Sequence, residues 1–198
     1  MKLEEIAQIR TGLVLTRKKA TIKYEIEYTY KLMTLKNIKD NGAFNKEPFE
    51  VFESNDKLDK GHFTAEGDIL IKLSYPYTAV HIDKNRTGLL VPSYFAIIRL
   101  IAQNYVPGYV TWYLNSDKVK KEFMRSQTGT AMLTTNKAVI SSIDIKEIPI
   151  EDQKKIAEMR ELHLKEMYLL NRLIDEKGKY YKAITDKLLN KNWGKYNG

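Results

Sequence analysis

The stretch IPIEDQKKIAEM, residues 148–159, marks the point at which the sequence changes character. Pro149 is typical of a helix start, and Glu151 and Asp152 suit the positive end of a helix macrodipole. After it, apolar residues recur every three or four positions for about forty residues. This pattern predicts one long amphipathic helix over 151–198.

The apolar stripe of this helix has near-heptad spacing, which is typical of a coiled coil. Its main row consists of Ile156, Met159, His163, Met167, Leu170, Ile174, Tyr181, Ile184 and Leu188, and a second row adds Leu162, Leu169 and Leu173. Forty helical residues span about 60 Å, which exceeds the diameter of a domain of about 150 residues. The stripe therefore needs a second helix beside it. Gly178 inside the run is expected either to kink the helix or to end its first stretch.

Before Pro149 the sequence alternates short β-type runs with turns, which predicts a compact mixed domain over 1–150. Runs rich in β-branched and aromatic residues occupy 25–35, 68–73, 78–82 and 94–100. The spacing becomes helical over 106–125, and 134–141 predicts a short helix with Thr134 or Thr135 as its N-cap. The expected fold class is therefore α+β, followed by a long C-terminal α-helix.

The 198-residue chain carries a net charge of +8 and contains no cysteine. The absence of thiols excludes disulfides, thiolate nucleophiles and cysteine-ligated zinc. The positive charge favours an anionic partner, of which nucleic acid is the commonest, although a basic protein without such a partner is also compatible with it. No apolar run approaches the roughly 20 residues of a membrane-spanning helix, and the N-terminus lacks a signal-peptide core. We therefore expect a cytoplasmic protein with no membrane partner.

Motifs for catalysis are scarce in this sequence. The three histidines, His62, His81 and His163, are far apart in the sequence and have no partner at metal-ligand spacing. His163 lies on the apolar stripe, where a packed histidine or one at the solvent edge is more common than a metal ligand. Glycine motifs for phosphate or dinucleotide binding are missing, and so is the glycine-rich turn that a methyltransferase needs for its cofactor. We therefore predict no catalytic residues, no metal site and no cofactor on this chain.

The segment from Glu66 to Lys72 allows one alternative, a small Mg²⁺-dependent nuclease. It places carboxylates and a lysine around a strand. A nuclease core usually carries a carboxylate two residues before that lysine, and here this position holds Leu70, which cannot bind Mg²⁺. A turn followed by a buried strand is the simpler interpretation.

Basic, aromatic and hydrogen-bonding residues cluster in the loops before Pro149. Arginine and lysine suit phosphates and guanine edges, while amide and hydroxyl side chains suit other base edges. These residue types predict DNA contacts at Arg17, Lys18, Lys19, Lys72, Ser74, Tyr75, Tyr77, Arg86, Arg125, Gln127, Thr128 and Thr130. Each cluster alone is also compatible with an ordinary solvated loop.

The order of these segments resembles the specificity subunit of type I restriction–modification systems along essentially the whole chain. The matching segments are KLEEIAQIRTGL (2–13), YKLMTLKNI (30–38), the GDIL strand (67–70), the stretch 112–150 and DQKKIAEM (152–159). The exit from the first domain departs from the family pattern, because it runs directly from Pro149 to Gln153 without a second proline. The resemblance implies a target-recognition domain over 1–150 and a coiled-coil spacer and dimerisation helix over 151–198.

Full-length members of that family carry two recognition domains and two helical regions, whereas this sequence has one of each and no internal repeat, so it resembles a half-length form. The resemblance implies a homodimer with antiparallel helices, paired through the stripe from Ile156 to Ile184, in which each copy reads one half of a bipartite double-stranded DNA target. It also implies that the chain is not an enzyme. Modification (methyltransferase) subunits would dock on the helices, bind S-adenosylmethionine and methylate adenine. A restriction/motor subunit that uses ATP and Mg²⁺ would translocate and cut DNA.

A third interpretation is a coiled-coil scaffold whose recognition domain no longer binds DNA, such as a remnant of a recombined locus. DNA binding that weakens steeply with salt separates the recognition subunit from this scaffold, because phosphate contacts release counterions. Mg²⁺-dependent cleavage of DNA by the isolated chain separates the nuclease from both.

Overall fold

The computed structural model describes residues 1–20, 26–126 and 134–193, with side chains to residue 191. Its elements, in chain order, are α1 (Leu3–Ile6), β1 (Ala7–Thr11), β2 (Tyr28–Leu32), β3 (Glu50–Ser54), β4 (Ile69–Lys72), β5 (Ala79–His81), β6 (Phe95–Leu100), α2 (Pro107–Leu114), α3 (Asp117–Arg125), α4 (Lys137–Ser141) and α5 (Ile150–Trp193), with short 3-10 helices between several of them. The predicted class, a mixed α+β domain followed by a long C-terminal helix, is confirmed. The chain divides into two compact units, Met1–Glu158 and Met159–Gly198, so that the first unit includes the start of α5.

The first unit is built on a four-stranded antiparallel sheet with the strand order β1-β6-β4-β5. Its register places Ile69 of β4 between His81 of β5 and Ile98 of β6. All four side chains of the central strand β4 are buried. Three of the predicted strand segments are thereby confirmed as β4, β5 and β6.

Apolar side chains cover both faces of this sheet, because successive residues of a strand point to opposite faces. Ile69 and Ile71 belong to a core that includes residues of α1, α2, α3 and α4, whereas Leu70 belongs to a second core with Met33 and Val91. Burial on both faces explains why β4 forms a continuous apolar run rather than an alternating one.

Two strands, β1 and β3, lie where the sequence analysis predicted none. β3 pairs with β2 in a separate two-stranded antiparallel sheet, and only Phe52 and Ser54 of its residues are buried. β1 buries only Ala7 and Ile9. So few buried residues give a weak hydrophobic pattern. These two strands form because β1 pairs with β6 and β3 pairs with β2.

The helical stretch predicted over 106–125 forms two helices, α2 and α3. Asn115 follows α2, and its side-chain amide exchanges two hydrogen bonds with the backbone of Ala79, of 2.8 and 3.0 Å. Ser116 then starts α3, because its hydroxyl accepts a hydrogen bond from the N–H of Val119 at 3.5 Å. The break therefore depends on a contact with β5 that the helical spacing does not reveal.

The short helix predicted over 134–141 is present as α4 but starts later than expected. Its N-cap is Asn136, whose side-chain oxygen accepts a hydrogen bond from the N–H of Val139 at 3.1 Å. The prediction of Thr134 or Thr135 as the cap was wrong, because both residues pair with the turn that follows β4.

The last helix, α5, runs for 44 residues, which corresponds to about 66 Å at ~1.5 Å per residue. The carbonyl of Pro149 accepts its first hydrogen bonds, from the N–H groups of Asp152 and Gln153. Gly178 lies inside the helix and does not end it. In the part of the chain that the structure describes, no helix is both long and apolar enough to cross a membrane.

Candidate functional site

The turn that carries one predicted loop cluster lies next to α3, at whose end the second cluster begins. The turn at 73–77 follows β4, and Arg125 is the last residue of α3. Tyr77 of the turn packs against Phe123 of α3, with the ring centroids 5.3 Å apart. The same turn also pairs with the residues that lead into α4. The fold thus brings the turn after β4 into contact with α3, although the two are about fifty residues apart in the sequence.

The turn after β4 exposes one tyrosine and buries another. Tyr77 is fully buried, has a φ of 54°, and donates its N–H to the carbonyl of Ser74 at 2.9 Å. Tyr75 is 61% exposed, and its ring meets that of Tyr77 edge-on with 6.0 Å between the centroids. Ser74 itself is half-buried. Tyr75 is therefore the aromatic side chain that this turn offers to a ligand.

Lys72 is buried in spite of its charge. Its Nζ donates a hydrogen bond to the carbonyl of Ile38 at 2.8 Å and lies 3.5 Å from the carboxylate of Asp40. A buried side chain cannot reach a DNA groove, so we leave Lys72 and Tyr77 out of the candidate surface. Lys72 instead binds the loop at Ile38 and Asp40, and the ring of Tyr77 packs against α3.

α3 adds positive charge beside the turn. Its apolar side is buried through Val119 and Phe123, which leaves its basic side chains exposed. We name the exposed basic and aromatic residues Tyr75, Lys118, Lys121 and Arg125 the α3 surface; Asp117, Glu122 and Met124 are also exposed on this helix. The two lysines were not predicted, although their helical spacing from the buried pair places them on the opposite side. The predicted contacts Gln127, Thr128 and Thr130 lie outside the described residues.

The other predicted basic segment, Arg17, Lys18 and Lys19, lies against β3. The Nζ of Lys18 pairs with the carboxylate of Asp56 at 2.7 Å, and the N–H of Ala20 donates to the carbonyl of Glu53 at 3.0 Å. The three basic side chains are all exposed. The fold therefore does not place this segment in the turn after β4, which contributes Tyr75 to the α3 surface.

Arg86 makes several contacts within the first unit. Its guanidinium carbon lies 4.1 Å from the ring centroid of Phe44, and the guanidinium pairs with the carboxylate of Asp83. Its backbone carbonyl accepts the hydroxyl hydrogen bond of Thr64 at 2.6 Å. These contacts connect the loop after β5 with two other segments, and a DNA contact by Arg86 stays a prediction.

The residues of the nuclease alternative have structural partners. Asp68 is fully buried, and its two carboxylate oxygens accept hydrogen bonds of 2.7 Å from Arg99. One of these oxygens also accepts the N–H of Ala65 at 2.7 Å. Among the described residues, no group of three or more histidine and acidic side chains could hold a metal ion. These contacts favour the interpretation of this segment as a turn and a buried strand.

His62 contributes no positive charge to the first unit at neutral pH. Burial lowers its pKa below the usual value of 6.5, and the nearby cation of Arg10 lowers it further. A histidine with a lowered pKa is neutral at pH 7. His62 therefore adds no positive charge for an anionic ligand, unlike the lysines and arginines of this unit.

The apolar stripe of α5 is exposed along the second unit. The predicted helix contacts in this unit are between 37% and 72% exposed, and they are Met159, Met167, Leu170, Ile174, Tyr181 and Ile184. His163 is exposed as well and lies 4.0 Å from Glu166. Ile156, by contrast, belongs to the first unit and packs against its core. An exposed apolar patch of this length marks an interaction surface, because apolar area in contact with water costs roughly 25 cal/mol per Å².

Comparison with known proteins gives a likeness of fold. No protein-family model and no curated protein matches the chain. A chain from a structural study of complex assembly and conformational transition in the type I R-M system matches with a TM-score of 0.67 and 15% identity, over 96% of this chain and 47% of that one. The HsdS subunit of Thermoanaerobacter tengcongensis matches with a TM-score of 0.65 and 14% identity, over 96% of this chain and 48% of that one. The chain thus spans about half the length of these solved chains, and over nearly its whole length it has the fold of one part of an HsdS subunit.

Proposed function

We propose that the chain is the DNA-recognition subunit of a type I restriction–modification complex and that it reads one half of a bipartite target. The observation that carries this proposal is the likeness of fold to an HsdS subunit, because it takes in the sheet-based unit and the long helix together. The net charge of +8 suits a DNA-binding role. In this proposal a second copy of the chain reads the other half-site.

The two copies pair through the apolar stripe of α5, with the helices antiparallel. Pairing removes the exposed stripe from water, and an antiparallel pair carries one recognition unit at each end. The two-fold symmetry of the protein is then mirrored in a palindromic pair of half-sites with an unread gap between them. A helix of about 66 Å limits the separation to roughly 19 base pairs at ~3.4 Å each.

The α3 surface is our candidate for the contact with DNA. Arg125, Lys118 and Lys121 supply positive charge for phosphates or guanine edges, and exposed Tyr75 supplies an aromatic face. Gln127, Thr128 and Thr130 follow Arg125 in the sequence and would add hydrogen-bonding groups. The basic segment at Arg17 is a second candidate, although Asp56 offsets part of its charge.

Catalysis belongs to partner subunits in this proposal. Modification subunits dock on the paired helices and methylate adenine with S-adenosylmethionine, and a motor subunit translocates and cuts DNA with ATP and Mg²⁺. Asp68 and Lys72 make structural contacts, which supports a non-catalytic role for this chain. Two residues that the nuclease alternative needs, Asp68 and Lys72, are buried and bonded to other parts of the first unit.

Methylation-sensitive sequencing of DNA from cells with and without the gene tests this function. The proposal predicts that one bipartite adenine-methylation motif disappears when the gene is removed and returns when it is restored. An unchanged pattern of methylation contradicts the proposal. Purified chain that cleaves DNA with Mg²⁺ alone would point to the nuclease. A chain that shows no salt-dependent DNA binding, even together with modification subunits, would point to the scaffold.

A further inference from the structure

Gln153, in the first turn of α5, is fully buried although charged residues surround it in the sequence. Its side-chain oxygen accepts a hydrogen bond from the N–H of Val106 at 2.9 Å. Its side-chain nitrogen donates to the carbonyls of Asn104 and Ile148, both at 2.9 Å. The amide thus uses its two donor hydrogens and its acceptor on three backbone groups. No charged or apolar side chain could satisfy all three.

A second contact holds the same part of α5 one turn later. Gly108 of α2 lies so close to α5 that a Cβ added at Gly108 would be 2.7 Å from the Cβ of Ala157. Carbon atoms do not approach so closely in packed interiors, so an alanine at this position would push the two helices apart. Close by, the hydroxyl of Tyr109 donates to the carbonyl of Lys146 at 2.7 Å. All of these residues belong to the compact unit Met1–Glu158.

We propose that Gln153 is a positioning residue: together with the Gly108–Ala157 contact it fixes the direction in which α5 starts, and thereby sets the number of unread base pairs between two half-sites. We name these three residues the clamp. The DNA part of this inference rests on the proposed function. Geometry makes the gap sensitive to the clamp, because a rotation of about 5° about the start of α5 moves a surface ~20 Å away from the helix by about 1.7 Å along the helix axis. The two-fold symmetry of the dimer doubles this change to about 3.5 Å, which is close to the ~3.4 Å rise of one base pair.

Three substitutions separate the clamp from general stability. Gln153→Met keeps the length of the side chain and removes its three hydrogen bonds. Gly108→Ala keeps those bonds and displaces α5. Glu151→Gln is the matched control, because Glu151 is exposed, lies on the same turn and pairs with Lys154 on the surface of the helix.

Methylation sequencing in cells that produce each variant reads the gap directly. We expect the half-site sequences to stay the same in every variant. In the two clamp variants the gap length should shift by about one base pair or several gap lengths should be methylated, whereas the control should keep one gap length. If the clamp variants direct methylation only at sites with the original gap length, whatever the efficiency, the inference is overturned. If the unaltered chain directs no bipartite methylation, the proposed function fails, and the position of α5 must be judged by the next measurement alone.

Spin-label distances test the clamp without any DNA. The chain has no cysteine, so the exposed residues Lys84 and Glu158 of the first unit can be replaced by cysteine and labelled without other changes. We expect a narrow distribution of distances in the otherwise unaltered chain and in Glu151→Gln. In Gln153→Met we expect a broader distribution, and in Gly108→Ala a shifted one. Identical distributions in all four proteins overturn the inference.

Discussion

The two compact units of the chain differ in how far their apolar side chains are buried. In Met1–Glu158 the side chains of β4 are all buried, because both faces of the sheet are covered. In Met159–Gly198, Leu170 is 49% and Ile174 67% exposed. The first unit has a core of its own, whereas the stripe of the second unit leaves water only when another surface covers it.

The polar contacts of the two units differ as well. In the first unit, Asp68 is fully buried and bonded to Arg99. In the second unit, Lys179 and Glu176 form an exposed pair at 2.9 Å, and their hydrogen bond lowers the pKa of Glu176 and raises that of Lys179. Exposed pairs contribute little to stability, while removal of one buried partner is costly. One lost contact therefore has different consequences in the two units.

The largest effect is expected from a charge in the stripe of α5. Leu170→Asp places a carboxylate in the surface that pairs with the second copy. Because a symmetric dimer carries two of these carboxylates, we expect its dissociation constant to rise at least ~1,000-fold. Lys165→Asp introduces the same side chain on the polar side of the same helix and should leave it nearly unchanged. Sedimentation equilibrium measures both. Equal behaviour of the two variants would show that the stripe is not the dimer surface.

The next effect concerns the core of the first unit. Asp68→Ala leaves the guanidinium of Arg99 and the N–H of Ala65 without their acceptor, so the free energy of unfolding should fall by about 3 kcal/mol. Asp56→Ala removes the exposed pair with Lys18 and should cost at most about 1 kcal/mol. Denaturant unfolding followed by tryptophan fluorescence compares the two. A loss as small for Asp68 as for Asp56 would contradict the structural role of the buried carboxylate.

A smaller effect distinguishes the two basic segments of the first unit. Arg125→Ala changes the α3 surface, and we expect DNA binding by the assembled complex to weaken by about 1–2 kcal/mol, with a salt dependence shallower by about one phosphate contact. Arg17→Ala makes the same change in the segment beside β3 and should have less effect. Binding measured over a range of salt concentrations tests this. The reverse order of effects would move the DNA contact to the segment around Arg17.

The smallest effect is expected at Gly178, inside α5. Gly178→Ala should stabilise the helix by about 1 kcal/mol, because glycine is a poor helix former and a Cβ added there meets nothing within 4 Å. Ala183→Gly is the reverse exchange at an exposed position of the same helix and should destabilise it by a similar amount. Circular dichroism at 222 nm during thermal unfolding measures both. A loss of stability in Gly178→Ala would mean that the partner helix approaches Gly178 closely.

Much of the fold could be predicted from the sequence, because several segments carry strong local patterns. The β-branched runs around β4, β5 and β6 are typical of strands, and the apolar residues of α5 recur with the helical period. Other features depend on distant partners. The break between α2 and α3 requires the contact of Asn115 with Ala79, and the cap of α4 shifts to Asn136 because the turn after β4 holds the two threonines. Such contacts leave no periodic trace in the sequence.

The candidate site was only partly predictable for the same reason. Residue type identified Arg125 and Tyr75, and the fold leaves both side chains exposed. Residue type also identified Lys72, but its charge is met by the carbonyl of Ile38, which the sequence cannot place beside it. Gln153 stands among charged residues, and its burial depends on backbone groups more than forty residues earlier.

The measurement that tests the central claim most directly is the distance between identical spin labels on two copies of the chain. Because the chain has no cysteine, single labels can be placed on the polar side of α5 at Arg172, near its middle, and at Glu158. An antiparallel pair that overlaps over the whole helix predicts a short separation at Arg172 and an axial separation of about 40 Å at Glu158. Short separations at both positions would indicate parallel helices. The absence of any dipolar coupling at either position would show that the stripe of α5 has no second copy against it and would contradict the account.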